Sequence, residues 1–146
     1  MRISFDIDDT LIFYDKSKNK STNDKLLSGE ILREGTIELL KEMQQNHELW
    51  IYTTSLRSPF FLKLFFKLKG IKIERVINQK VHQELLKDLK MKSSPTKLPN
   101  RYEIDLHIDD SEGVVMEGEK YRFNVLRIDP NDLDWTTKIK QQINAK

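Results

Sequence analysis

Along this 146-residue chain, short apolar runs alternate with longer stretches in which apolar residues recur every three or four positions. Residues 2–7 are β-prone and closed by the polar residues Asp8, Asp9 and Thr10, which predicts a short buried strand. Ile37, Leu39, Leu40 and Met43 have helical spacing and predict a helix over 36–45, with a strand over 49–52 after it. Pro59 in a first turn and Gly70 just past a last one bracket a helix over 59–68. Alternation predicts a strand over 71–77, and a helix follows over 81–91. A loop containing Ser93, Ser94, Pro95 and Pro99 leads to a strand over 104–108, a helix from about 111 to 120, a strand over 123–128 and a closing helix after Pro130.

Strands alternating with helices imply a mostly parallel sheet covered on both faces, because right-handed crossovers place the helices there. The chain therefore reads as α/β: a Rossmann-like three-layer αβα sandwich around a mostly parallel five-stranded sheet, one domain over residues 1–146. The polar stretch 15–29, rich in Lys, Asn and Ser, is expected to be a short flap after strand one. In such sheets functional residues gather beyond the carboxyl ends of the strands. Asp6, Asp8 and Asp9 follow the first strand, Thr53 and Thr54 the second, and Asp109 and Asp110 the fourth.

Composition narrows the field. A net charge of +2 excludes a strongly charged nucleic-acid coater. Residues 60–100 are locally basic, ten Lys and Arg against three acids, which would suit a phosphorylated polymer. No aromatic alternation for base stacking accompanies those charges, so a solvated helical face is preferred and nucleic acid is not favoured as a partner. The absence of cysteine leaves no disulfide and no thiolate metal site, which fits a reducing compartment. Acids stand where a signal peptide needs its apolar stretch, and no run approaches the ~18 apolar residues of a membrane span. The expectation is a soluble cytoplasmic protein with no membrane partner.

A carboxylate directly after an apolar strand sits in a crowded, partly dry loop where acids are disfavoured without a use. Alone, Asp6-Ile7-Asp8-Asp9-Thr10 also fits a solvated turn capped by Thr10. Asp109 and Asp110 change that picture. With both clusters on one sheet edge, each close carboxylate pair repels by about 4 kcal/mol at an effective dielectric near 20, and a bound cation relieves the repulsion. All-oxygen ligands with neither Cys nor clustered His favour a hard ion, magnesium before calcium or manganese. Lys97, in a loop that can return to the same edge, and the Thr53 hydroxyl then complete an anion pocket. Cation and ammonium would hold phosphate oxygens while one carboxylate attacks phosphorus and another passes protons. Lys80, at an ordinary helix start, is set aside as a rival to Lys97, and His47, His82 and His107 are read as structural or solvated for want of metal-ligand spacing.

In this order, Asp6-Ile7-Asp8-Asp9-Thr10, Thr53, Lys97 and Asp109-Asp110 resemble the four motifs of the haloacid dehalogenase-like (HAD-like) phosphatases. The resemblance covers residues 2–128. It implies that Asp6 is the nucleophile forming an aspartyl-phosphate and that Asp8 is the general acid, then the base that activates water. It also implies that Thr53, with Thr54 beside it, and Lys97 bind the phosphoryl group. Mg2+ would be held by the Asp6 carboxylate, the Asp8 backbone carbonyl and Asp109, with Asp110 nearby and Thr10 steadying the loop. Dehalogenase members carry no acid at the position of Asp8, so a phosphoryl substrate is favoured. Both places where the family inserts a cap are short here, the mark of a minimal-cap member.

The function expected is thus a magnesium-dependent phosphomonoester phosphatase acting on a phosphorylated substrate whose class the sequence leaves open. Two alternatives stand beside it: a phosphotransferase using the same site, and a non-catalytic module that binds phosphate or magnesium. The helix carrying Phe60, Phe61, Leu62, Leu64, Phe65, Phe66 and Leu68 packs on the sheet by default, yet its apolar arc is wider than one sheet face requires. A homodimer or partner contact through it is the alternative reading.

Overall fold

The computed structural model describes residues 1–14 and 30–146. The chain runs β1 (Arg2–Phe5), β2 (Ile12–Tyr14), β3 (Glu30–Leu32), α1 (Thr36–Met43), β4 (Glu48–Tyr52), α2 (Pro59–Leu68), β5 (Arg75–Ile77), α3 (Gln79–Leu89), β6 (Leu106–Asp109), α4 (Glu112–Tyr121), β7 (Val125–Arg127) and α5 (Trp135–Asn144). Five strands form one parallel sheet in the order β5-β4-β1-β6-β7, and β2 pairs antiparallel with β3. The expected α/β architecture is the one observed.

β1 takes the centre because its inner residues need no water: Ile3 and Phe5 are buried apolar groups, and the buried Ser4 hydroxyl bonds inside the protein. Ser4 is in register with Trp50 of β4 and His107 of β6. Side chains alternate between faces, so Ser4, Trp50, Tyr52 and His107 share one face while Ile3, Phe5, Leu49, Ile51, Leu106 and Ile108 share the other. The second face meets Leu39 and Leu40 of α1, Leu62 and Phe66 of α2, and Trp135 and Ile139 of α5 in the main core. The first face is covered by Val81 of α3 packed on Trp50, Tyr52 and Ile77, beside a smaller cluster of Leu98 and Val114 of α4. From β1 the chain builds β4 and β5 to one side and then crosses to β6 and β7 on the other, so the strand order reverses at β1. A crevice beyond the carboxyl ends of the strands at such a reversal is where ligands bind in open α/β sheets.

The local signals explain several boundaries. α2 begins as predicted, with Pro59 in its first turn and the Ser58 hydroxyl accepting from the Phe61 N–H at 3.3 Å. It ends before Gly70, whose φ of 81° suits the residue that closes a helix. Leu62 and Phe66 are buried, whereas Phe60 and Leu68 are 76% and 78% exposed, so the apolar arc does extend past the sheet-facing side. β5 is shorter than the predicted 71–77. Ile71 and Ile73 are buried as their alternation required, but the ladder with β4 starts only at Arg75. The β2–β3 pairing was not read as strands; it forms the base of the expected flap, whose residues 15–29 lie outside those described. Among the described residues no helix is long and apolar enough to cross a membrane.

Arg33, just past β3, fastens this hairpin to the body. Its guanidinium donates to the carbonyl of Thr10 at 3.3 Å and to those of Asp129 and Asp132 at 2.8 Å each. It also lies over the ring of Trp135 at 4.6 Å. Replacing Arg33 by Ala leaves those carbonyls without their donor and is expected to cost about 3 kcal/mol, read as a lower midpoint in urea unfolding.

Candidate active site

The sheet ladder runs one residue past β1, because the Asp6 N–H donates to the Ile108 carbonyl at 2.9 Å. By alternation Asp6 then shares a face with Ser4, and Asp109 with His107. Beyond Asp6 the chain winds round the Ile7 carbonyl, which accepts from the N–H groups of Thr10, Leu11 and Ile12 at 3.3, 3.0 and 3.0 Å. That turn needs a φ of 62° at Asp9, a left-handed conformation that Asp tolerates better than most residues. It leaves Asp6 and Thr10 buried and Asp8 exposed.

Lys97 enters between the two acid clusters. Its Nζ donates to Asp6 Oδ1 at 2.7 Å and to Asp109 Oδ2 at 2.5 Å, and its side chain is 2% exposed. Asp109 Oδ2 also accepts from His107 Nε2 at 2.8 Å, and Asp109 Oδ1 accepts from the Ser111 N–H at 2.9 Å. Asp6, Asp109 and Asp110 each bring a carboxylate oxygen within 4.8 Å of the others, so three acids converge where a metal ion could be held. Thr10 donates from Oγ1 to Asp110 Oδ1 at 3.4 Å, tying the first loop to the second acid pair.

The electrostatics follow from burial. Removal from water pushes the Asp6 carboxyl up to about 7, with Lys97 pulling against that and Asp109 adding to it. Asp109 is also penalised by burial, but the bond from His107 and the charge of Lys97 outweigh it and hold the group below the usual carboxylate range. Burial works to lower Lys97, yet Asp6 and Asp109 together raise it above its ordinary value, so it stays charged. Burial and the Lys97 charge push His107 down to about 4, which makes it a neutral ring. An ionised Asp109 only accepts, so the His107 proton is on Nε2, and Nδ1 is left to accept from the Ser4 hydroxyl at 2.7 Å.

The Lys97 loop is fixed from two sides. On one, Glu117 of α4 accepts from Thr96 Oγ1 and N at 2.7 and 2.8 Å and from the Lys97 N–H at 3.3 Å. On the other, the Leu98 N–H donates to the Tyr52 hydroxyl at 3.0 Å, Tyr52 donates to His82 Nδ1 at 2.6 Å, and His82 Nε2–H donates to the Pro95 carbonyl at 2.7 Å. Burial, chiefly, lowers the His82 pKa below 6.5. A folded-state value below the unfolded one gives a contribution that is complete above pH 6.5 and is lost as pH falls below it. The melting temperature of His82→Gln is therefore expected to fall less steeply than wild type between pH 7.5 and 5, which a pH series of thermal melts checks.

The remaining candidates are placed differently. Asp8 is turned to Arg57, whose Nη1 and Nη2 donate to its two oxygens at 3.0 Å each and which also bonds Glu30 of β3. Thr53 is buried at the end of β4, and its Oγ1 accepts from the Ser55 N–H at 3.1 Å. Thr54 beside it is exposed.

Among solved structures, a predicted HAD-like family hydrolase from Porphyromonas gingivalis matches 99% of this chain and 98% of its own, with a TM-score of 0.58 at 14% identity. A chain in the structure of a Pnkp1/Rnl/Hen1 complex matches 90% of this chain and 46% of its own, with a TM-score of 0.55 at 12% identity. The fold is HAD-like. No family model and no curated protein sequence matches the chain.

On this HAD-like fold the structure joins Asp6, Lys97, Asp109, Asp110 and Thr10 into one contiguous group. Lys80, exposed at the start of α3, takes no part. Asp110, expected only nearby, brings its carboxylate into the acid cluster itself. Arg57 was not singled out in the sequence, and His107, read there as structural or solvated, is a buried neighbour of Asp109. His107 stands two residues before Asp109 on a strand, and that period of two places both side chains on one face. Arg57 lies in the loop after β4, at the same strand-end edge as Thr53, and its position there was the available signal.

Proposed function

We propose that this chain is a magnesium-dependent phosphomonoester phosphatase working through an aspartyl-phosphate on Asp6. The observation that carries the reading is the Lys97 ammonium set between the buried Asp6 and Asp109 carboxylates, with Asp110 in the same cluster. Three carboxylates with no sulfur or imidazole ligand suit a hard cation. Asp6, Asp109 and Asp110, with the Asp8 backbone carbonyl, would hold Mg2+, whose chemistry there is neutralisation of charge on the transferring phosphoryl oxygens.

In the first half-reaction Asp6 attacks phosphorus and the bond from phosphorus to the leaving oxygen breaks, while Asp8 supplies a proton to that oxygen. In the second, water attacks phosphorus, Asp8 takes its proton, and the Asp6 carboxylate is regenerated as inorganic phosphate departs. Lys97 and Thr53, with Thr54 at the rim, bind the phosphoryl oxygens. Arg57 orients the exposed Asp8 carboxylate, which otherwise rotates in water.

A metal-controlled screen across nucleotides, nucleic-acid ends, sugar phosphates and phosphoproteins tests the proposal, with Asp6→Asn as the blank and acceptor alcohols present in parallel. Chelator-sensitive phosphate release that the blank lacks is the expected result. Transfer to the alcohols in place of release would make the protein a phosphotransferase, and no turnover of any class with magnesium would contradict an enzymatic role.

A further inference from the structure

Ser4, His107 and Asp109 form a hydrogen-bonded row of the residue types that many hydrolases use as nucleophile, base and orienting acid. Burial excludes that use here: Ser4 and His107 are both 0% exposed, so no substrate reaches the hydroxyl. The row exists because Ser4 and His107 are registered across β1 and β6 and because Asp109 follows His107 by one strand period. A serine and a histidine fully buried in a parallel sheet need a use that aliphatic side chains would not serve, since each must have its polar atoms satisfied.

We propose that His107, held by Ser4, is a positioning residue that fixes the Asp109 carboxylate for cation binding. This rests on the reading of Asp109 as a metal ligand. Asp109 Oδ2 takes the His107 and Lys97 donors, and among the described residues Oδ1 takes the Ser111 N–H. The carboxylate plane is thereby set, and Oδ1 keeps a lone-pair direction that none of these bonds uses. The Ser4 hydroxyl, by donating to Nδ1, keeps the His107 proton on Nε2 and the ring turned to Asp109.

The test is Mn2+ binding, measured by electron paramagnetic resonance of the free ion, for wild type, His107→Leu, His107→Gln and Ser4→Ala, with Asp109→Asn as the ligand-deficient control. His107→Leu is expected to weaken Mn2+ binding by about 10- to 100-fold. His107→Gln, which keeps a donor, should stay within about threefold of wild type, and Ser4→Ala should fall between them. Thermal melts in chelator identify which variants fold. If His107→Leu does not fold, Ser4→Ala, which removes a single oxygen, decides the matter. Wild-type affinity in a folded His107→Leu, or a Gln variant as weak as the Leu one, would overturn the proposal while leaving the phosphatase reading in place. Failure of the wild type to bind Mn2+ better than Asp109→Asn would overturn both.

Discussion

Replacing Asp6 by Asn is expected to lower magnesium-dependent phosphate release by about 10⁴-fold or more, because the proposed aspartyl-phosphate route loses its nucleophile while the proposed binding groups remain. The substitution should leave the fold intact. Asn has nearly the shape of Asp, and its amide oxygen can still accept from Lys97 in place of Oδ1. Burial already disfavours the Asp6 charge strongly enough to push its carboxyl up to about 7, so a neutral side chain costs the folded state little. Activity measured beside thermal melts in chelator checks both halves, and activity loss accompanied by unfolding would not count in favour.

Lys97→Met should have the second largest effect, on stability as well as on rate. Lys97 is buried and neutralises two buried carboxylates at 2.7 and 2.5 Å. Taking away one member of a buried ionic group leaves uncompensated charge, a loss of about 3–5 kcal/mol in metal-free protein. Protonation of the stranded acids softens that loss. Without Lys97, Asp6 loses the neighbour that pulls its pKa down, so its folded value stays above the unfolded one. Such a group contributes stability at low pH that is lost as pH rises through the folded value. The deficit in melting temperature should accordingly be larger at pH 8 than at pH 6. A deficit that is independent of pH would mean that the Met side chain simply packs badly. On the proposed role of Lys97, phosphate binding should be lost at both pH values.

Much of the architecture could be read from hydrophobic rhythm because the sheet is buried on both faces and its helices carry strong start and stop residues. Pro59 and Gly70 set α2, and Ser111 caps α4 by accepting from the Val114 N–H. The alternation at Ile71 and Ile73 misled because two buried side chains do not require a paired backbone, and β5 begins only where β4 is in reach. The short pairing of β2 with β3 carries too few residues for a period to show.

The site divides in the same way. Asp6, Asp109 and Asp110 were legible because strand ends bring acids together whatever the detail of the packing. What holds Lys97 was not. Its loop depends on Glu117 from α4 and on a relay from Tyr52 of β4 through His82 of α3 to Pro95, residues far apart in sequence that meet only once three elements have packed. The attachment of Asp8 to Arg57 and of Arg57 to Glu30 is likewise a product of tertiary placement.

Whether Asp6 carries the phosphoryl group, as proposed, is answered by rapid acid quenching during turnover followed by borohydride reduction. Reduction of an acyl phosphate at this position converts the residue to homoserine, which peptide mass spectrometry locates. Homoserine is expected at residue 6 in wild-type protein quenched with substrate and magnesium, and none when either is withheld. Magnesium-dependent phosphate release with residue 6 unreduced, or with the modification at another residue, would contradict it.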